Sequence, residues 1–324
     1  MSAMLLASDA YSRAGMTALV AGAIVVCVPI MLAALGELVS QRAGVLNIGL
    51  EGMMLVGAYA GFVAAYYGGD EWLGFGAGMA AGAAVSLIMV LFCVRLGLDQ
   101  IVTGIAITLA CEGATALIFD AEFAESRPTL GRADHVSIPG LSEIPVIGGK
   151  GYSDGSVFSQ PLVVYLGVGL IVVVAWLLRR THVGLNVKAA GDKPAALDAA
   201  GVSVVATRSW AVLFAGAMAG LGGAYLSIVV AGLFQDTVVG GRGFIAIVFA
   251  MLARGRPLWI LIGTFLFGLS VSLADWAQTY GVADISPDFV FMLPFLLILA
   301  VLFLFGRRAY LPAALALPYV RGTR

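Results

Sequence analysis

Charged residues are scarce in this chain. Only 11% of its 324 residues are Asp, Glu, Lys or Arg, whereas 61% are hydrophobic, and the mean hydropathy is +1.01. A soluble domain carries about 25% charged residues, so this composition excludes an ordinary soluble protein. The apolar runs reach the roughly 20 residues that a membrane-spanning helix needs, which favours helices over the short strands of a membrane barrel. We therefore predict an all-α, polytopic membrane helix bundle.

The sequence lacks the residue patterns that metal binding, nucleotide binding and nucleophilic catalysis require. His135 and His182 fall in predicted loops and have no metal-ligand spacing around them. The sequence contains no GxxxxGK[ST] phosphate loop, no dinucleotide-binding motif and no nucleophile–base arrangement. We expect no metal, no cofactor, no catalytic activity, no nucleic-acid binding and no removable signal peptide. The cysteines lie in apolar runs and are interpreted as small buried residues: Cys27, Cys93 and Cys111.

The apolar runs predict about 8–10 spans in one transmembrane domain, 1–324. One run, 243–253, is too short to cross a bilayer and indicates a broken or re-entrant helix. Glycines at four-residue spacing predict faces on which helices pack closely. These faces are Gly57 and Gly61; Gly74, Gly78 and Gly82; and Gly216 and Gly220. The runs lie at about 17–38, 48–68, 72–94, 101–119, 161–178, 209–231, 243–253, 258–276 and 288–305.

The distribution of charge among the loops predicts the orientation. Cytoplasmic loops carry an excess of Lys and Arg, as do the loop 179–208 and the tail with Arg307, Arg308, Arg321 and Arg324. The loop 277–287 has no Lys or Arg, and the loop 120–160 has six acidic residues against three basic ones. We therefore expect 120–160 to be extracytoplasmic and the N-terminus to lie outside.

An arginine, an asparagine and a carboxylate stand at the start of one apolar run, in RAGVLNIGLEG at 42–52. Ionisable groups in a bilayer are costly and mark functional sites unless they are paired. Two interpretations of Glu51 remain open. In the first, Glu51 lies in the first turn of a helix that Asn47 caps, and Arg42 neutralises its charge. In the second, Glu51 contacts the cargo and lies on the same helical face as Asn47.

A second motif, RGFIAI from Arg242, also follows a long apolar run and opens a glycine-containing segment. Interrupted helices at matching positions of two halves indicate inverted repeats around a transport path near the middle of the membrane. We therefore expect Arg42 and Arg242 to occupy equivalent positions.

The predicted cytoplasmic loop contains AAGDKPAALDAAG at 189–201. Asp192 is a favourable N-cap, Pro194 is tolerated in a first turn and Gly201 favours helix termination. This pattern predicts a short helix at 193–200. Because so short a helix is marginal in water, it serves as a docking helix for a cytoplasmic partner or is merely part of a solvated loop.

Five stretches follow one another as in one known family: GELVSQRAGVLNIGLEGMMLVGAYAG, LDQIVTGIAITLA, VSIPGLSEIPVIGG, AAGDKPAALDAAGVSV and GGRGFIAIVFAMLARGRPLW. From about 30 to 305 the chain resembles permease subunits of bacterial ABC importers in the branched-chain amino acid/ribose permease superfamily. RAGVLNIGLEG is similar to the subgroup that imports nucleosides with basic-membrane-protein-type lipoproteins. The chain departs from this family at Asp99-Gln100, where Asn-Glu is commoner.

The resemblance implies a multi-pass protein of the bacterial inner membrane. It implies three partners in addition to membrane lipid: a homologous second permease, a cytoplasmic ATPase and an extracytoplasmic substrate-binding lipoprotein. We expect the substrate path to involve Arg42, Asn47, Glu51, Gln100, Glu112 and Arg242. We expect the ATPase to contact Asp192, Lys193, Pro194, Ala196, Ala200 and Gly201.

Two alternatives to nucleoside import remain open. A sugar importer permease is the nearest alternative, because fold does not determine cargo. A secondary transporter that uses Glu51, Glu112 or Asp275 as a proton or cation site is another.

Overall fold

The structure, a computed structural model, describes residues 2–124, 127–131, 135–137, 157–279 and 311–319, with isolated positions between 292 and 303. These residues are almost entirely helical, which confirms the all-α prediction. The described helices are α1 (Ser2–Arg42), α2 (Leu50–Gly68), α3 (Glu71–Met89), α4 (Gln100–Glu122), α5 (Leu162–Arg180), α6 (His182–Asp192), α7 (Pro194–Ala199), α8 (Val204–Tyr225), α9 (Arg242–Leu252) and α10 (Pro257–Thr279). Helices α3 and α8 continue as π-helical turns, Val90–Arg95 and Leu226–Ala231.

Six of the described helical segments are long and apolar enough to cross a membrane. The 19-residue α2 and the 11-residue α9 are not counted among these six, and α9 is too short to span, as the sequence predicts. The predicted span at 288–305, the loop 277–287 and the four tail arginines lie mostly or wholly outside the described residues. The spanning segments are Thr17–Arg42, Glu71–Arg95, Gln100–Glu122, Leu162–Arg180, Val204–Ala231 and Pro257–Trp276.

The chain divides into two compact units: 1–28 with 133–168 and 262–307, and 29–132 with 169–261 and 308–324. In the first unit, Ser272 on α10 donates from Oγ to the carbonyl of Leu19, 2.7 Å away. This unit also contains β1 (His135–Ser137) paired antiparallel with β2 (Ser159–Pro161), a ribbon within the region predicted as the outer loop. The rest of that loop between β1 and β2, up to residue 156, lies outside the described residues. Whether 1–324 behaves as one domain stays a prediction.

Glycine contacts hold α2, α3 and α8 together in the second unit. A Cβ added to Gly78 would lie 2.7 Å from the carbonyl oxygen of Gly57 and 3.1 Å from that of Gly220. Gly82 packs in the same way against Gly216. The glycine spacing therefore predicted a real packing interface, in which the absence of side chains lets the backbones approach closely.

Helix α1 and helix α2 run in opposite directions along α8. Gly222 on α8 lies against Pro29 of α1, whereas Gly223 lies against Met54 of α2. Near the start of α8, Arg208 bonds to the carbonyl of Ala43. Gly57 of α2 lies against Gly220 and Gly61 against Ala224, so α2 runs parallel to α8 and begins further along α8 than the point at which α1 ends. Residues 43–49, called the break from here on, connect these two levels.

Helix α9 runs from the level at which α2 begins back to the level at which α1 ends. Its Gly243 lies against Glu51 at the start of α2, and Gly255, just after its end, lies against the guanidinium of Arg42. The N-termini of α2 and α9 therefore meet near the middle of the bundle. The expected equivalence of Arg42 and Arg242 is wrong, because Arg42 ends a helix and Arg242 begins one. The equivalent features are the two helix starts.

The segment predicted as a docking helix is more helical than the sequence suggested. Helix α6 fills 182–192, and α7 covers Pro194–Ala199 within the predicted 193–200. The expectation that Asp192 caps this helix is wrong: Asp192 is the last residue of α6, and Lys193 is the N-cap of α7 without a side-chain hydrogen bond. Leu197 of α7 packs in a small core with Ala190 and Val204.

We predict that Gly78→Ala destabilises the protein, because the added methyl group would meet the backbones of α2 and α8. Overpacking of this kind costs about 1–3 kcal/mol, which should lower the melting temperature in detergent by several degrees. Gly76→Ala is the matched control, because a Cβ at Gly76 meets nothing within 4 Å. Equal melting temperatures for the two variants would contradict this packing.

Candidate functional site

The break is irregular backbone within a membrane bundle, so its polar groups need protein partners. Its first residues close α1: Gly44 has φ +94 and donates to the carbonyl of Gln41 at 2.9 Å. Ser40 Oγ donates to the carbonyl of Val45, and Val45 donates back from its N–H to the carbonyl of Ser40. Only glycine adopts such a φ without strain, which explains Gly44 as the residue that ends α1.

Glu51 binds the start of α9. Its Oε1 accepts the N–H of Gly241 at 2.7 Å, and its Oε2 accepts the N–H of Gly243 at 2.6 Å. These N–H groups belong to the first turn of α9, where no intrahelical acceptor exists. Because Glu51 also stands in the first turn of α2, its carboxylate lies at the positive ends of two helices. The side chain is only 6% exposed.

The local structure around Glu51 differs from both sequence interpretations in the roles of Asn47 and Arg42. Asn47 does not cap α2, because the N-cap is Gly49 and makes no side-chain hydrogen bond. Asn47 and Glu51 do not share a helical face either, because Asn47 precedes the helix. The guanidinium of Arg42 lies against Gly255, at the other end of α9 from the Glu51 carboxylate. The Glu51 carboxylate is therefore paired with backbone N–H groups and not with Arg42. Sequence patterns do not reveal backbone partners of this kind.

A second buried carboxyl group supports the break and was missed by the sequence analysis. Glu37 is fully buried in α1, and its Oε1 accepts from Gln41 Nε2 at 3.0 Å and from the N–H of Asn47 at 3.1 Å. Asn47 is also fully buried and donates from Nδ2 to the sulfur of Met53. The signal was available, because Glu37 is a lone acid in the apolar run 17–38.

Two oxygens in this cluster have no hydrogen-bond partner among the described residues: Glu37 Oε2 and Asn47 Oδ1. A buried polar atom without a partner costs about 1–3 kcal/mol. Both oxygens lie at or beside the break, where the irregular backbone begins.

Helix α4 lies along the break and stabilises it. Gln100 is buried, and its Oε1 accepts the N–H of Leu46 at 2.8 Å. Further along, Gly104 lies against Ile48 and Gly49, and Cys111 lies against Gly52. Asp99 caps α4 by accepting from the N–H groups of Ile101 and Val102. The Asp99-Gln100 pair that departs from the family pattern thus has a structural use at both positions.

Three charged residues of the predicted path, Glu112, Arg42 and Arg242, are exposed or half-buried, whereas Glu51 is buried. Glu112 is exposed and stands at the midpoint of the 23-residue α4. Glu112 follows Cys111, which lies against Gly52, and Arg242 stands between Gly241 and Gly243, so both residues lie near Glu51. Arg242 is half-buried and donates from Nη1 to the carbonyls of Val238 and Val239. A carboxylate exposed at mid-span is unfavourable against lipid, so its surroundings in the membrane must be polar.

The predicted ATPase-contact residues divide into two groups. Lys193, Ala196, Ala200 and Gly201 are exposed, whereas Asp192 and Pro194 are half-buried. The described residues contain no cluster of three His, Cys, Asp or Glu side chains that could hold a metal ion.

These features define a polytopic membrane permease built around two half-helices. Residues 19–302 match the family described as branched-chain amino acid transport system, permease component, and the chain belongs to this family. It is a multi-pass protein of the cell membrane. No solved structure matches the chain.

Three relatives illustrate the similarity. A protein of Haloferax volcanii, provisionally named as a glucose ABC transporter permease, is 36% identical over 78% of this chain and 76% of its own length. The guanosine ABC transporter permease of Bacillus subtilis is 32% identical over 94% of this chain and 97% of its own length. A nucleoside ABC transporter permease of Lactococcus lactis is 29% identical over 94% of this chain and 96% of its own length.

We predict that Glu51→Gln destabilises the permease by about 2 kcal/mol, because the amide offers one acceptor oxygen where the carboxylate offers two. Thermal unfolding in detergent measures this, with Asp236→Asn, an exposed carboxylate before α9, as the control. Adding Arg42→Gln should not restore stability, since α9 rather than Arg42 holds the carboxylate. Rescue by Arg42→Gln would contradict the assignment.

Proposed function

We propose that this chain is the permease subunit of an ATP-driven importer and forms part of the path for nucleosides. The meeting of α2 and α9 at Glu51 is the observation that carries this proposal. Half-helices that start near mid-membrane are the feature by which transporters create a polar solute site without exposing backbone to lipid. Family membership supports the same assignment.

Within this path we propose two kinds of residue. Asn47, Glu51 and Gln100 are buried and bond to backbone or to neighbouring side chains, so they position the half-helices. Glu112 and Arg242 present charge at the same depth and face the solute. Arg42 belongs to the cytoplasmic end of the site, where it lies against Gly255.

The energy source and the other subunits lie outside this chain in our proposal. A cytoplasmic ATPase docks on α7, where Ala196 and the C-cap residue Ala200 are exposed while Leu197 anchors the helix to the permease. A homologous second permease completes the path opposite Glu112, and an extracytoplasmic lipoprotein delivers the solute. The relatives named as ABC transporter permeases support these partners.

The cargo class rests on similarity to the guanosine and nucleoside permeases, which extends over nearly the whole of each chain. Import of a sugar is the second candidate, because the relative named as a glucose permease has the higher identity, 36%, over a shorter match. Both solutes are uncharged polyols, and Glu112 could accept hydrogen bonds from the hydroxyl groups of either.

The cargo can be identified with the complete importer in proteoliposomes. We predict that nucleosides, presented with the binding lipoprotein, stimulate ATP hydrolysis and ATP-dependent uptake, whereas glucose does not. Stimulation by glucose alone would favour the sugar importer. Uptake that needs an ion gradient but no ATP would contradict an ATP-driven importer.

We predict that Glu112→Gln leaves assembly intact and lowers nucleoside uptake about tenfold, the effect of losing about 1.4 kcal/mol of interaction with the solute. Asp120→Asn is the matched control, because Asp120 is an exposed carboxylate near the outer end of the same helix. Initial uptake rates in proteoliposomes measure the effect. If both variants transport at the wild-type rate, Glu112 does not face the solute.

A further inference from the structure

Arg208, near the start of α8, is a buried cation whose hydrogen bonds within the described part of the chain all go to backbone carbonyls. The side chain is 3% exposed. Its Nε donates to Ala43 at 3.1 Å, Nη1 to Leu317 at 2.8 Å, and Nη2 to Ala190 at 3.1 Å and Ala314 at 3.4 Å. A buried guanidinium is tolerated only when its donors are satisfied, and its five N–H groups suit several acceptors at once.

The four acceptors belong to three separate parts of the chain. Ala43 follows the last residue of α1 and opens the break, and Ala190 lies in the last turn of α6. Both carbonyls stand at helix C-termini, where the negative end of the helix dipole favours a cation. Ala314 and Leu317 belong to the C-terminal segment 311–319. Arg208 therefore joins the break, the predicted docking segment and the C-terminal segment.

The C-terminal segment makes its own backbone bonds to the same two regions. Ala314 donates from its N–H to the carbonyl of Gly191 at 2.8 Å, and Ala316 donates to the carbonyl of Gly44 at 3.1 Å. Gly191 also lies directly against the backbone of Arg42 and Gly44. The segment thus connects the end of α6 with the first residues of the break, and we call Arg208 together with 314–317 the clamp.

The clamp is continuous with α7. Ala190, whose carbonyl Arg208 holds, packs with Leu197 of α7 and Val204 of α8 in one small buried cluster. Tyr319, just beyond the clamp, packs against the same cluster. A displacement of α7 therefore reaches the break through packed side chains and hydrogen bonds, without crossing solvent.

We propose that the clamp transmits movement of α6 and α7 to the break, so that Arg208 is a positioning residue for transport rather than a residue of the solute path. This proposal rests on the proposed ATP-driven import. Coupling between sites is carried by elements whose arrangement both sites influence. The non-helical break, in which the buried Asn47 Oδ1 has no partner among the described residues, is the element that can change.

The test compares Arg208→Met and Arg208→Lys in the complete importer. Arg208→Met keeps the length and apolar stem but removes all five donors, so nucleoside uptake per ATP hydrolysed should fall about tenfold, within the range typical of coupling energies. Arg208→Lys keeps the charge with three donors and should be intermediate. Arg180→Met removes an exposed arginine from the end of α5 and should match the wild type.

A second variant covers the case in which Arg208→Met fails to fold. Arg208→Gln removes the charge but keeps an amide with two N–H donors, so it is the milder change at the same position. It should assemble, hydrolyse ATP and show lowered uptake per ATP. Normal coupling in a folded Arg208→Gln or Arg208→Met variant overturns the proposal. Failure of both variants to fold overturns it too, in favour of a purely structural clamp.

Hydrogen exchange gives a readout that stability alone would not move. Trapping ATP on the wild-type complex should change exchange in both 193–199 and 43–49. In Arg208→Met the change should persist at 193–199 and disappear at 43–49. Parallel changes at both segments would overturn the clamp. If the wild-type complex hydrolyses ATP but imports neither nucleosides nor sugars, the proposed function fails while this exchange test still decides the clamp.

Discussion

The carboxylate of Glu51 determines where two helices begin. Helix N-termini leave N–H groups without acceptors, and in a membrane these groups cannot be left to water. Glu51 supplies acceptors to the first turn of α9 from within the first turn of α2. One buried negative charge thereby serves two helix starts, and the depth of the polar site follows from it.

Arg208 is the counterpart of Glu51 at the other end of the break. Glu51 places an anion at two helix N-termini, and Arg208 places a cation at the C-terminal ends of α1 and α6. Both charges are neutralised by backbone dipoles, which are fixed in direction by the helices. This arrangement explains how seven non-helical residues, 43–49, persist inside an apolar bundle. It also connects α6 with the start of α2, where Glu51 lies.

The sequence revealed the fold and the depth of the site because lipid imposes strict rules on composition. Long apolar runs predicted the spans, glycine spacing predicted the packing of α2, α3 and α8, and a lone acid identified Glu51. The partners of Glu51 and Arg208 could not be predicted, because backbone groups of distant segments accept and donate regardless of residue type. The predicted equivalence of Arg42 and Arg242 was wrong because Arg42 ends α1 whereas Arg242 begins α9. The two side chains alone do not reveal this difference. Glu37 was predictable from the rule that identified Glu51.

An experimental structure of the assembled importer in lipid tests the account most directly. The account predicts that Glu51 stays within hydrogen-bonding distance of the Gly241 and Gly243 N–H groups while the Glu112 carboxylate faces a polar path. A Glu51 carboxylate that points into the path without backbone bonds, or a Glu112 side chain surrounded by lipid, would contradict it.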